Sequence, residues 1–375
     1  MSDPSPAGLA ATVIGRTCAL AGIPAPTGAE GRRGEVVAGW WTDDGWSEVR
    51  TDPTGNVWAR VRSGDGPAIV LCAHLDTVFP ADLPHGARLE GDRLIGPSVG
   101  DDSVAVAALS SAAALLGRQT TGPARKPGQK PIWILATVGE EGLGNLAGIR
   151  GALDAPPQAF GCLIAVEGNY LGRVSHTGAG SLRWRVRVEG PGGHAWEASS
   201  APSAVHSVAS MVAELATLSV EGARTSVNIG RIEGGEAINA RARSAWFDLD
   251  MRSEEPDALV ALERMARDQV ERHVSTQLRV DVEELGRRPA GGIHRSHPLV
   301  VAAADALSAA GIAPSFPTTS TDANAAHDRA IPAIAVGITT GSGEHTPSEW
   351  IDIAPIAAGV AVLAATVERF EGSAG

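Results

Sequence analysis

Two histidines and several carboxylates stand beside glycines and short apolar runs in this chain. His74 precedes Asp76 by two residues. Asp101 and Asp102 are adjacent, as are Glu140 and Glu141, while Glu167 precedes Gly168 and His345 follows Glu344. Imidazole nitrogen and carboxylate oxygen together suit Zn²⁺, and carboxylates also admit Mn²⁺ or Co²⁺. Residues i and i+2 share a strand face, so Asp76 can orient the His74 imidazole. Adjacent side chains point apart, so one of Glu140 and Glu141 can bind metal while the other stays free as a general base. Such a set serves the activation of water by divalent metal.

These residues need elements to place them. The apolar run 68–73 (AIVLCA) has strand length and no polar face, as expected of a strand covered on both sides. Runs 131–138 and 161–166 are alike, and 104–116 reads as an Ala- and Leu-rich helix. The candidate ligands follow these strands directly, and ligands of open α/β sheets bind at the strands' carboxyl ends. From Ser181 the pattern changes: Leu182, Trp184, Val186 and Val188 alternate with Arg183, Arg185, Arg187 and Glu189. A helix (201–215), strands 225–232 and 244–251, a charged helix (257–273) and a strand (277–282) complete a β-α-β-β-α-β order, the split-βαβ arrangement. We therefore expect an α/β fold, a mixed sheet flanked by helices, with an inserted ferredoxin-like domain. The expected boundaries are 1–177 and 291–375 for the catalytic domain and 178–290 for the insert. After it, a helix (298–310), a strand (334–336) and a helix (353–370) return to α/β style.

At about 150 residues per domain, 375 residues give two to three domains and ample core. Hydrophobic residues make up 43% and aromatic ones 4%, so Ala, Val, Leu and Ile dominate the interior. A net charge of −12 argues against a nucleic-acid partner or an anionic membrane surface. Cys18, Cys72 and Cys162 are odd in number and widely separated, so reduced buried thiols are expected rather than a disulfide framework. No basic segment precedes an apolar stretch at the N-terminus, and no apolar run reaches membrane-spanning length. The expected location is cytoplasmic.

The chain resembles the zinc aminoacylase/carboxypeptidase family of metallopeptidases, which includes peptidase T, acetylornithine deacetylase and succinyl-diaminopimelate desuccinylase. The resemblance rests on LCAHLDTV (71–78), GPSVGDDSVAVAAL (96–109), TVGEEGLGNLAG (137–148), AVEGN (165–169), GPGGHAW (190–196), STDANAA (320–326) and GEHTP (343–347), in the family order. It implies two divalent metal ions, zinc first with cobalt or manganese as alternatives. His74 and Glu167 would hold one ion, Glu141 and His345 the other, and Asp101 would bridge them. Glu140 would be the general base and Asp76 would orient His74. The family also places a cis peptide between the bridging Asp and its successor, here Asp101 and Asp102. His194, in Gly192-Gly193-His194, would polarise the scissile carbonyl, in cis or from a partner subunit. Asn239 and Arg252 match positions that grip a substrate carboxylate in some relatives, a task suited to the planar guanidinium. Asp322 and Asn324 read as loop supports for the site. One departure is Ser103, where many relatives carry Lys and then Gly, which weakens any transfer of substrate identity.

The expectation is thus hydrolysis of an amide bond in a small substrate, by a metal-activated water with Glu140 as base. A di- or tripeptide cleaved aminopeptidase-fashion leads, an N-acyl amino acid is the alternative, and a non-catalytic peptide-binding module is the remote one. The inserted domain would act as a lid, with Gly178, Gly180, Gly291 and Gly292 as hinges, and as the contact of a homodimer.

Overall fold

Strand Ala68–His74 is buried at all its positions, as is Ile132–Thr137, so neither has a solvent face. Ile69, Leu71 and Ala73 point into one core with Val13, Leu20, Leu109, Leu116, Val360 and Leu363. Val70 and Cys72 point into another with Trp58, Trp133, Leu135, Ile149 and Ala326. The alternation places helices on both faces of one sheet. Each buried Val, Leu or Ile contributes roughly 1.5–3 kcal/mol.

The structure, a computed structural model, describes residues 5–118 and 129–373. Its contacts divide into two units, Met1–Gly178 with Gly292–Gly375, and Ala179–Gly291. In the first, a seven-stranded sheet runs in the order Ser47–Thr51, Val57–Arg62, Ile132–Thr137, Ala68–His74, Phe160–Glu167, Ala333–Gly337 and Val174–Ser175. The four strands from Ile132–Thr137 to Ala333–Gly337 are parallel. The outer ones pair antiparallel. Helices Pro6–Ala21, Val104–Arg118, Pro298–Ala309 and Ile356–Gly372 supply one layer. The first helix starts cleanly, with Ser5 Oγ accepting from the Gly8 amide at 3.1 Å and Pro6 beginning the helix.

One helical stretch, Val99–Gly117, is apolar and long enough to cross a membrane, yet 83% of it is buried inside the fold. It is the central core helix of this unit. All three cysteines are free, and Cys72 and Cys162 are buried.

The second unit has the order strand Gly180–Glu189, helix Ala204–Leu215, strands Thr225–Gly234 and Ser244–Ser253, helix Pro256–Glu271 and strand Arg279–Arg288. Its four strands are antiparallel, with Thr225–Gly234 and Arg279–Arg288 at the edges. This is a ferredoxin-like topology. Leu182, Trp184, Val186 and Val188 pack with Val208, Met211, Leu262 and Val270 of the two helices. The alternate residues form ion pairs such as Arg185 with Asp248 at 2.7 Å.

Candidate metal centre

Three parallel strands end side by side. His74 closes Ala68–His74 and lies in register with Thr137. Cys72 pairs with Ala165, so His74 and Glu167, two residues beyond each, finish at the same level. The loop after Thr137 carries Glu140 and Glu141. Asp101 lies in the turn Val99–Ser103, where its backbone and that of Asp102 leave helical angles (φ −112°, ψ 89° and φ −130°, ψ 27°), just before helix Val104–Arg118. The Asp101–Asp102 peptide is cis, as the resemblance implied. His345 stands in the loop between strands Gly341–Ser342 and Trp350–Asp352, with its backbone in the left-handed region at φ 64°.

The resulting geometry is dense. One oxygen of Asp101 lies 2.9 Å from His74 Nε2 and the other 3.1 Å from His345 Nε2. His345 Nε2 is also 3.3 Å from Glu141 Oε1. Three groups each offer ligand atoms within 4.8 Å of one another: His74 with Glu140 and Glu141, His74 with Asp102 and Glu167, and Asp101 with Glu141 and His345. Asp76 organises this arrangement. Its main-chain oxygen is 3.0 Å from His74 Nδ1 and its Oδ1 is 3.4 Å from the same atom. Its carboxylate accepts the amides of Glu140 at 2.9 Å and Glu141 at 2.8 Å, and the Thr27 hydroxyl at 2.9 Å. Asp102 turns its oxygens to main chain, accepting the His74 amide at 3.0 Å and the Gly168 amide at 2.9 Å. A Cβ at Gly168 would lie 1.8 Å from the Gly100 carbonyl oxygen, so only glycine lets these segments approach.

The charges are as crowded as the atoms. Burial opposes the cationic form of His74, but the Asp102 charge and the hydrogen bonds to Asp101 and Asp76 outweigh it and raise the imidazole well above its usual range. His345 rises to about 10 through its hydrogen bonds to Asp101 and Glu141. Burial pushes the Glu167 carboxyl up, and the neighbouring Asp102 charge adds to it. Against burial, the two imidazoles hold Asp101 well below the ordinary carboxylate range. Buried negative charge on this scale requires cations. The nitrogen and oxygen donors are those divalent Zn, Co or Mn accepts. The donor set therefore fits divalent metal.

Four further residues, absent from the motif reading, build the surroundings. Arg33, 1% exposed, donates to the carbonyls of Ile23 and Leu75 and to Ser98 Oγ. Burial lowers its guanidinium to about 10, against the pull of Asp76, Asp102 and Glu349. Glu30 Oε1 accepts the Gly139 amide at 3.0 Å, fixing the turn into Glu140. Thr27 holds Asp76. Glu349 accepts the amides of Gly100 and Asp101, and burial, with the Asp101 charge, lifts its carboxyl to about 8. Arg33 reads in sequence as part of a basic surface pair (Arg32-Arg33), and Glu349 as a solvated acid. Only the nearness of Glu349 to His345 offered a signal. Asp322 is buried and accepts the Thr137 hydroxyl at 2.6 Å, and Asn324 Oδ1 accepts the Thr321 amide at 3.0 Å.

The remaining candidates lie in the second unit. His194 is exposed, and the Trp196 amide donates to its Nδ1 at 3.3 Å. Its loop pairs with the one carrying Asn239: the Ala195 amide donates to Asn239 O and the Arg241 amide to Gly193 O, each at 2.8 Å. His194 and Asn239 are therefore neighbours. Arg252 is apart from them and engaged, its guanidinium meeting Asp250 at 2.9 and 3.1 Å.

An α/β sheet whose strand ends gather histidine and carboxylate is the framework of a metal-dependent hydrolase family, and comparison with known proteins agrees. Residues 70–369 match the model of peptidase family M20/M25/M40, and the chain belongs to that family. A probable carboxypeptidase of Ajellomyces capsulatus is 30% identical over 222 residues, covering 54% of this chain and 49% of that protein. The chain thus spans about half the length of the curated relatives it matches. Among solved structures, a tripeptidase from Staphylococcus aureus superposes with a TM-score of 0.82 at 19% identity, covering 97% of this chain and 99% of that one. Aminopeptidase PepT from Bacillus cereus gives 0.77 at 22% identity, covering 96% and 98%. At these identities the structures speak to the fold.

Proposed function

We propose that the chain hydrolyses the peptide bond of a small peptide, with His74 and Glu167 holding one divalent ion, Glu141 and His345 a second, and Asp101 both. The observation that carries this reading is the Asp101 carboxylate, whose two oxygens face two different imidazoles at 2.9 and 3.1 Å. Bound metal, zinc first with cobalt or manganese as alternatives, supplies an acidified water and a Lewis acid for the carbonyl.

The protein's own residues do the rest. Glu140, buried and anchored through its amide to Asp76, takes the proton of the attacking water and returns it to the leaving amine. Asp76 keeps His74 oriented and holds Glu140 and Glu141 by their main chain. His194 donates to the carbonyl oxygen as negative charge develops there. With the Trp196 amide donating to Nδ1, the neutral imidazole carries its proton on Nε2, the tautomer this task needs. The second unit serves as lid and as the contact of a homodimer, and the protein acts in the cytoplasm. Equilibrium sedimentation of the full chain showing only monomer removes the dimer from the proposal.

The peptide reading stands ahead of the N-acyl amino acid one. The latter relies on Arg252 to grip a carboxylate, and that guanidinium already pairs with Asp250. The named relatives, a carboxypeptidase, a tripeptidase and an aminopeptidase, act on peptides. The deciding experiment offers zinc- or cobalt-loaded protein equal amounts of tripeptides and N-acyl amino acids, with products identified by mass spectrometry. Consumption of tripeptide is expected, with release of the first residue. Release of the last residue makes the enzyme a carboxypeptidase, and consumption of only the acyl compounds overturns the peptide reading.

A further inference from the structure

Four residues beyond His345, the Glu349 side chain is fully buried, at 0% exposure. One oxygen accepts two consecutive amides, Gly100 at 2.8 Å and Asp101 at 2.6 Å. Its main chain joins the same two segments. The Gly96 amide donates to Glu349 O at 2.9 Å, and the Glu349 amide donates to Thr346 O at 3.1 Å. Strand Trp350–Asp352, which follows at once, pairs with Arg93–Ile95. The loop bearing His345 and the turn bearing Asp101, some 250 positions apart in the chain, are thus tied through one residue. The fit is close, for a Cβ at Gly100 would lie 2.6 Å from Glu349 Oε1. No Lys, Arg or His lies within salt-bridge distance of this carboxylate among the described residues. A buried carboxyl group without such a partner is a costly way to hold a turn. Its amides lead directly to the Asp101 side chain.

We propose that Glu349 is a positioning residue: by accepting the Gly100 and Asp101 amides it presents the Asp101 carboxylate to His345 and so sets the Asp101–Glu141–His345 half of the centre. The inference rests on the reading that these three residues hold an ion. A group that orients a metal ligand typically accounts for ~10–100-fold in metal affinity when removed. Gln at position 349 keeps a carbonyl oxygen able to accept both amides, whereas Ala keeps nothing. Asp keeps the carboxyl group but falls a methylene short.

The test is calorimetric titration of Zn²⁺ into metal-free full-length protein, with circular dichroism establishing that each variant is folded at the temperature used. Wild type is expected to take up two ions. Glu349→Ala and Glu349→Asp should keep one ion near wild-type affinity and bind the other ~10–100-fold more weakly, while Glu349→Gln restores both to within a few-fold. If the Ala variant does not fold, the Asp and Gln variants carry the test. A folded Ala or Asp variant binding both ions as wild type does overturns the proposal, as does a Gln variant no better than the Asp one. Wild type taking up fewer than two ions sinks the two-ion reading and this inference with it.

Discussion

The two units handle charge in opposite ways. In the first, Asp76, Asp101, Asp102, Glu140 and Glu141 converge around His74 and His345, the acids largely shielded from water while the His345 imidazole is 56% exposed. In the second, charge lies along one exposed sheet face as cross-strand pairs, Arg183 with Asp250, Arg185 with Asp248 and Arg187 with Glu283. Cross-strand pairs of this kind leave the sheet neutral and are worth little individually. Converging buried carboxylates destabilise the fold unless something binds among them. Charge in the second unit thus serves pairing and solubility, whereas charge in the first marks the site of chemistry.

The sharpest way to break that contrast is to delete charge from the first unit. Glu140→Ala should leave metal content unchanged and lower kcat by ~10²–10⁴, measured on the peptide consumed in the competition assay. His345→Ala should instead reduce metal content itself, read by elemental analysis after gel filtration. Full turnover by purified Glu140→Ala would remove the general base from the mechanism. In the second unit the large effect should come from an apolar residue. Trp184 is 1% exposed, with Arg267 stacked over its ring at 4.9 Å. Trp184→Ala should cost ~3–5 kcal/mol in denaturant unfolding, with metal content per folded chain unaltered.

What could be read from sequence follows the same division. The run 68–73 was legible because it is apolar without interruption and ends on His74, and alternation from Leu182 to Val188 announced a half-buried strand two residues wide in period. The order of the second unit could be written down from such patterns alone. Hairpin Ser47–Thr51 with Val57–Arg62 and the small sheet that includes Arg93–Ile95 and Trp350–Asp352 were not legible. They are short, part-exposed strands, the latter joined across more than half the chain. The candidate ligands stood out because histidine and acid beside glycine are unusual neighbours. Their supports did not. Arg33, Glu30 and Glu349 act through hydrogen bonds to remote main chain and Thr27 through one to the remote Asp76 carboxylate, and such bonds carry no periodicity and no spacing.

A further prediction concerns a partly buried histidine of the first unit, outside the metal-ligand cluster. His327 has a buried Nδ1 without a partner among the described residues, and burial, helped by the charge of His176, lowers it to about 4. Between that value and 6.5 the unfolded chain binds the proton and the folded one does not, so stability is complete above 6.5 and declines as pH falls towards 4. The decline attributable to His327 is at most about 3 kcal/mol. His327→Gln should flatten the stability profile over this window relative to wild type, in urea titrations at pH 4.5 and 7. Parallel profiles for the two proteins would assign the acid sensitivity elsewhere.

The smallest effect should fall where charge is most plentiful. Arg187 meets Glu283 at 2.5 Å, with the two side chains 42% and 48% exposed. The pair gains little in high dielectric, loses side-chain entropy and is screened by salt, so Arg187→Ala should cost only ~0.2–1 kcal/mol, and less at 0.5 M NaCl than at low salt. A loss above that range, insensitive to salt, would mean that the face is not a set of independent solvated pairs. The exposed face would then be a cooperative network, and the contrast between the two units would be one of burial rather than of purpose.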